Sequence, residues 1–106
     1  EDWGRFALWV KNAESATGCF SDYVRDASKT QIKNSPKRVG KAFDGYGYLI
    51  WAENSRQQNS YWAVGYGGQR IAWNHKNKRM LVAFSNLEDY MDDVYTLYRD
   101  WAALPD

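Results

Sequence analysis

The segment Trp62-Ala63-Val64-Gly65-Tyr66-Gly67-Gly68-Gln69 carries the pattern in this chain best suited to chemistry. Three glycines at a strand end let the backbone approach a ligand closely or bend sharply. Main-chain N–H groups exposed there can donate to a carboxylate or to a developing oxyanion. The same glycines equally suit a bulge that turns a sheet corner, and the residues alone leave both readings open. Other reactive side chains point to plainer roles. His75 is the only histidine, which excludes a histidine pair as ligands or relay, and its polar context His75-Lys76-Asn77-Lys78 predicts a solvated turn. Cys19 is the only cysteine, which excludes an intramolecular disulfide and a multi-thiolate metal site, and it is expected as a packed thiol. Glu88, Asp89, Asp92 and Asp93 are spaced i, i+1, i+4, i+5, which makes an acidic helix face and not a metal cluster. No cofactor or metal is expected.

The elements that must position these residues follow from periodicity. Asp2 to Asn12 reads as a short helix capped by Asp2, with Trp3, Phe6, Ala7 and Val10 as its apolar face. Ser21 is a candidate cap for a second short helix that buries Tyr23, Val24 and Ala27. Residues 28–44, with Pro36 and Gly40, read as a long surface loop. Strand signals follow over Tyr46–Glu53 and Tyr61–Tyr66, and Gln69–Asn74 continues in alternation, with Ile71 and Trp73 on one face and Arg70 and Ala72 on the other. Arg79–Phe84 is a nearly continuous apolar run of the kind found in mid-sheet. Leu87, Met91, Val94, Tyr98 and Trp101 form one helical stripe, with Ser85 or Asn86 as its cap. The predicted fold is α+β: short N-terminal helices, an antiparallel three-stranded meander, and a long C-terminal helix packed on the sheet. Gly45-Tyr46-Gly47 and Gly65-Tyr66-Gly67 echo each other, but no third copy makes a repeat.

With 106 residues the chain fits one domain, residues 1–106, and its composition is that of a globular protein. Six Trp, eight Tyr and four Phe make it unusually aromatic. The net charge of +1 conceals nine basic and two acidic residues over 33–79 and one basic and six acidic over 80–106. The expectation is that these segments neutralise each other across the surface. No RNA-binding aromatic signature or zinc-finger spacing points to nucleic acid, and no apolar stretch approaches the ~20 residues that span a bilayer. Neither nucleic acid nor membrane is therefore an expected partner. The chain begins at Glu1 and not at Met, as expected of a trimmed, processed or excised segment.

The order GYGYLIW, YWAVGYGGQRIAWN, a four-residue turn, MLVAFSN and an amphipathic terminal helix resembles the C-terminal part of β-lactamase-like serine hydrolases. The branch it resembles most is the class C β-lactamase, esterase and 6-aminohexanoate-dimer hydrolase group. DWGRFALWVKN is similar to that group's D-x-A-R-F-G helix, and the resemblance spans nearly all of residues 2–102. It implies a parent whose nucleophile lies in Ser-x-x-Lys, followed by Tyr-x-Asn or Ser-x-Asn. None of these occurs here, and Ser35 has Arg38 three residues on. Both motifs lie upstream of the matching region in the family, so a C-terminal segment would lack them. Where lactamases carry Lys-Thr-Gly, this chain has Ala63-Val64-Gly65 or Gly65-Tyr66-Gly67, which favours an esterase- or amidase-like parent. The resemblance implies that Gly65, Tyr66, Gly67 and Gln69 line the substrate pocket, and that the segment alone holds no catalytic residue. It also implies that the Arg79–Phe84 strand is covered by a second copy or by the complementary N-terminal hydrolase segment.

The competing expectation is a stand-alone aromatic-rich module that binds a ligand or oligomerises, with Trp51, Trp62 and Trp73 as a platform for a flat ligand. Exposure of those three rings separates it from simple core packing.

Overall fold

Alternation of side chains across a pleated backbone explains most of the architecture. The computed structural model describes residues 1–35, 43–54, 57–86, 96–98, 100, 101 and 104. Helices α1 (Asp2–Glu14) and α2 (Cys19–Ala27) precede strands β1 (Ile32–Lys33), β2 (Phe43–Tyr46), β3 (Trp51–Asn54), β4 (Gln57–Val64), β5 (Arg70–Asn74) and β6 (Met80–Ala83). The strands form one antiparallel sheet in the order β1 to β6.

Tyr61, Ala63, Ile71, Trp73, Met80 and Val82 fall on the face covered by Ala7, Val10 and Ala13 of α1 and Val24 of α2. Trp62, Ala72 and Leu81, their alternate neighbours, pack on the opposite face with Phe43, Trp51 and Tyr98. Period two on buried strands produces this division. Cross-strand register pairs Tyr61 with Trp73, whose rings stack at 5.0 Å and 12°. Trp73 also donates from Nε1 to the Ala7 carbonyl at 2.8 Å, tying the sheet to the middle of α1. Arg25 joins the two helices by donating to the Glu14 and Ala16 carbonyls, which lie at the C-terminal end of α1.

Several expectations are corrected. Among the described residues the sheet has six strands, not three. Tyr46–Glu53 is not one strand, because Gly47 to Ile50 turns the chain: Gly47 N–H donates to the Ile50 carbonyl at 2.7 Å, and Leu49 takes φ 62°. The supposed loop 28–44 contributes β1, whose Ile32 and Lys33 pair with Tyr46 and Gly45. Among the described strands Arg79–Phe84 lies at the sheet edge, as the resemblance implies for the segment alone, and not mid-sheet. Met80–Ala83 forms the last strand in the order, and all four of its residues are half-buried. A long C-terminal helix is not found among the described residues either. Among the described residues the C-terminal segment is helical only at 96–98 and at 100–101, and of its expected stripe Tyr98 is buried whereas Trp101 is exposed. Leu87, Met91 and Val94 lie outside the described residues, as do Glu88, Asp89, Asp92 and Asp93.

The helices also face differently from expectation. Glu1, not Asp2, caps α1, without a side-chain bond, and α2 begins at Cys19 after Gly18, so Ser21 is inside the helix and buried. The buried face of α1 is Ala7, Val10 and Ala13, while Trp3 and Phe6 are exposed. Small residues turn inward because Tyr61 and Trp73 supply the bulk from the sheet side. On α2, Val24 and Ala27 are buried but Tyr23 is exposed, stacked on Tyr48 at 6.1 Å. Cys19 is exposed and not packed. Tyr48 N–H donates to the Ala27 carbonyl at 3.1 Å, capping α2. This close passage needs Gly47, where a Cβ would overlap the Ala27 carbonyl.

Candidate functional site

The corner between β4 and β5 is built by a 3-10 turn at Tyr66–Gly68. Gly67 and Gly68 take φ 75° and 93°, a left-handed conformation that glycine adopts freely. Gly65 N–H donates to the Gln69 carbonyl at 2.8 Å, and the Arg70 guanidinium donates to the Gly65 and Gln69 carbonyls at 2.7 and 2.8 Å. Gln69 Nε2 donates to the Ser85 carbonyl at 2.6 Å, fixing the corner to the segment after β6. These glycines turn the sheet at the corner, and of the three Gly65 also forms part of a wall.

That wall closes an apolar cavity of about 300 Å³ lined by Trp3, Val64, Gly65, Gln69, Val82 and Phe84, among others. Of the residues expected to bind, Gly65 and Gln69 line it. Gly67 is buried behind the corner, and the Tyr66 side chain is 91 % exposed. Trp3 forms one lip of the cavity and begins a run of exposed rings along the helices. Trp3 meets Phe6 edge-on at 5.8 Å, Phe6 lies 6.1 Å from Trp9, and Trp9 stacks on Phe20 at 4.5 Å. Trp3 and Trp9 are each more than half exposed. The platform expected from Trp51, Trp62 and Trp73 does not form, because Trp62 and Trp73 are core residues and Trp51 is half-buried against Phe43.

At the other end of α1 lies a polar cluster that residue patterns did not reveal. The Glu14 side chain is only 8 % exposed. Its Oε2 accepts from the Tyr61 hydroxyl at 3.0 Å, while Oε1 meets His75 Nδ1 at 2.5 Å and Lys78 Nζ at 3.5 Å. Burial pushes the Glu14 carboxyl upward, but His75, Tyr61 and Lys78 outweigh it and hold the group below its usual range. Burial and then the Glu14 charge raise the Tyr61 phenol far above its ordinary value. His75 thus lies in the expected turn, but its side chain is not simply solvated. Its ring is half-buried, lies 4.6 Å from Tyr61, and is held by a carboxylate. One signal was available: an acidic residue in the last turn of a helix opposes the dipole and calls for a partner.

Among the described residues, no group of three or more His, Cys, Asp or Glu side chains could hold a metal ion, and no helix is long and apolar enough to cross a membrane. Comparison with protein-family models, with curated proteins and with solved structures gives no match.

Proposed function

We propose that this chain is an aromatic-rich binding module whose site is the cavity between Trp3 and the β4–β5 corner. The observation that carries this reading is the cavity's composition: branched and aromatic side chains line it, and its volume of about 300 Å³ lies at the lower end of small-ligand sites. A flat apolar group the size of a substituted benzene ring suits it. The exposed Trp3, Phe6, Trp9 and Phe20 rings extend the same apolar surface outward. Titration with p-cresol, followed by methyl NMR, tests the reading. Val64, Ile71 and Val82 should shift saturably, and Trp3→Ala should weaken the effect. Shifts confined to the outer rings of α1 and α2 would refute it.

A second reading draws on the sheet edge. β6 pairs only with β5 among the described strands and presents Met80 to Ala83 half-buried, which favours a further strand or chain beside it. This supports a C-terminal segment of a β-lactamase-like serine hydrolase, with Gly65, Tyr66, Gly67 and Gln69 in one wall of its substrate site. The covering chain is then a second copy or the complementary N-terminal segment. On this reading the purified chain does not hydrolyse p-nitrophenyl acetate faster than a heat-denatured control, and turnover would exclude it. Both readings place the ligand at the same corner.

A further inference from the structure

A second cavity, of about 570 Å³, shares no lining residue with the first. Its walls come from four places in the chain: Ser28 to Thr30 after α2, Asp44 on β2, Asn59 and Ser60 on β4, and His75 after β5. Backbone bonding holds part of this wall, since His75 N–H donates to the Asn59 carbonyl at 2.8 Å. Ser28 and Ser60 are buried and form the floor, whereas Lys29 and Asp44 are exposed and form the rim. Ser28 Oγ donates to the Arg25 carbonyl, and Ser60 Oγ accepts from Trp62 Nε1, so both hydroxyls are fixed in place.

Two features give this cavity a chemical identity. Lys29 and Asp44 line the same space, yet neither side chain has an ion pair among the described residues. A purely anionic ligand would satisfy Lys29 and be repelled by Asp44, and a purely cationic one the reverse. A ligand bearing both charges satisfies both. The second feature is His75, whose Nδ1 is taken by the Glu14 carboxylate. An ionised carboxylate only accepts, so Nδ1 carries the proton and Nε2 is the ring nitrogen left for a ligand. A hydroxyl can partner Nε2 in either charge state of the ring, because it both donates and accepts.

We propose that this cavity binds a free hydroxyl-bearing α-amino acid, with Lys29 taking its carboxylate, Asp44 its ammonium and His75 its side-chain hydroxyl. The test is a backbone-amide NMR titration of the whole chain with L-serine, N-acetyl-L-serine and L-serinamide. L-serine should shift Ser28, Lys29, Asn59 and His75 saturably. Removing either ligand charge should weaken binding roughly tenfold or more, the scale of one charge-assisted hydrogen bond. Lys29→Gln and Asp44→Asn should each do the same to L-serine. Both side chains are at the surface, so the variants should keep the fold, and unchanged amide shifts elsewhere verify it. The proposal is overturned if L-serine produces no saturable shifts at these residues. It is equally overturned if N-acetyl-L-serine or L-serinamide binds as well as L-serine, or if neither substitution weakens L-serine.

Discussion

Replacing Glu14 tests whether the polar cluster at the end of α1 stabilises the fold. In Glu14→Ala, the hydroxyl of Tyr61, a fully buried residue, loses its acceptor, and an unsatisfied buried group costs about 1–3 kcal/mol. His75 and Lys78 lose a charge partner, but both are partly exposed, so water replaces much of that interaction. The expected loss is about 2–4 kcal/mol, or roughly 10–25 °C in Tm for a chain of this size. Glu14→Gln keeps an acceptor for Tyr61 but loses the charge and turns an amide donor toward His75, so about 1–2 kcal/mol is expected. The pH dependence has a definite sign. Glu14 is held below its ordinary range in the folded state, so its contribution is complete above the unfolded-state value. It fades as pH falls through the lower, folded value. Thermal unfolding followed by circular dichroism from neutral to acid pH should therefore show the wild type and Glu14→Gln converging at low pH. If the cluster were incidental, both variants would relieve an unfavourable helix-dipole contact and raise Tm slightly. A rise in Tm, or a gap between wild type and Glu14→Gln that stays constant with pH, would refute the argument.

Two glycines should respond differently to alanine. At Gly47 the added methyl would overlap the Ala27 carbonyl, so Gly47→Ala should cost about 3 kcal/mol or more in denaturant unfolding. At Gly67 the nearest atom would lie 3.7 Å away, leaving only the strain of φ 75°, about 1–2 kcal/mol. Equal losses at the two sites would contradict this distinction. Tyr61 and Tyr98 should resist ionisation in an alkaline ultraviolet titration of the native protein, because burial raises both phenols. Since these two phenols ionise more readily once unfolded, stability should fall as pH rises above the ordinary tyrosine range. Ionisation of Tyr61 and Tyr98 within the ordinary tyrosine range in the native protein would count against the buried assignment.

Legibility in the sequence depended on how local each cause was. The alternation of Ile71, Ala72 and Trp73 was readable because period two and burial on both faces act residue by residue. The turn between β2 and β3 was not, since its positive-φ residue is Leu49, neither Gly nor Asn, so the ordinary turn signal is missing. The burial of α1 was misread because Trp3 and Phe6 outrank Ala7 and Ala13 in hydrophobicity. Tertiary space decided otherwise, the bulk of Trp73 and Tyr61 leaving room for Ala7, Val10 and Ala13 but not for the larger rings. The Gly65–Gln69 corner was legible as a bend, but its role as a cavity wall required Trp3, more than sixty residues earlier in the chain.

A single length match accounts for both ends of the molecule. α1 runs alongside β5 in the same direction: Trp3 shares a cavity with Arg70 and Ile71, Ala7 accepts from Trp73, and Glu14 meets His75. From Trp3 to Glu14 the helix rises about 16 Å, and the five steps from Arg70 at the start of β5 to His75 just after it span about 17 Å. The helix start therefore reaches the β4–β5 corner just as its end reaches the β5–β6 turn. The apolar cavity and the polar cluster are two consequences of this match, and a helix one turn shorter would leave either Trp3 or Glu14 without its partner. The aromatic excess follows from the same geometry. A sheet that meets small helix residues on one face must supply the bulk itself, and Tyr61 and Trp73 do so. The rings left over on α1, chiefly Trp3 and Trp9, are then the ones free to meet a ligand.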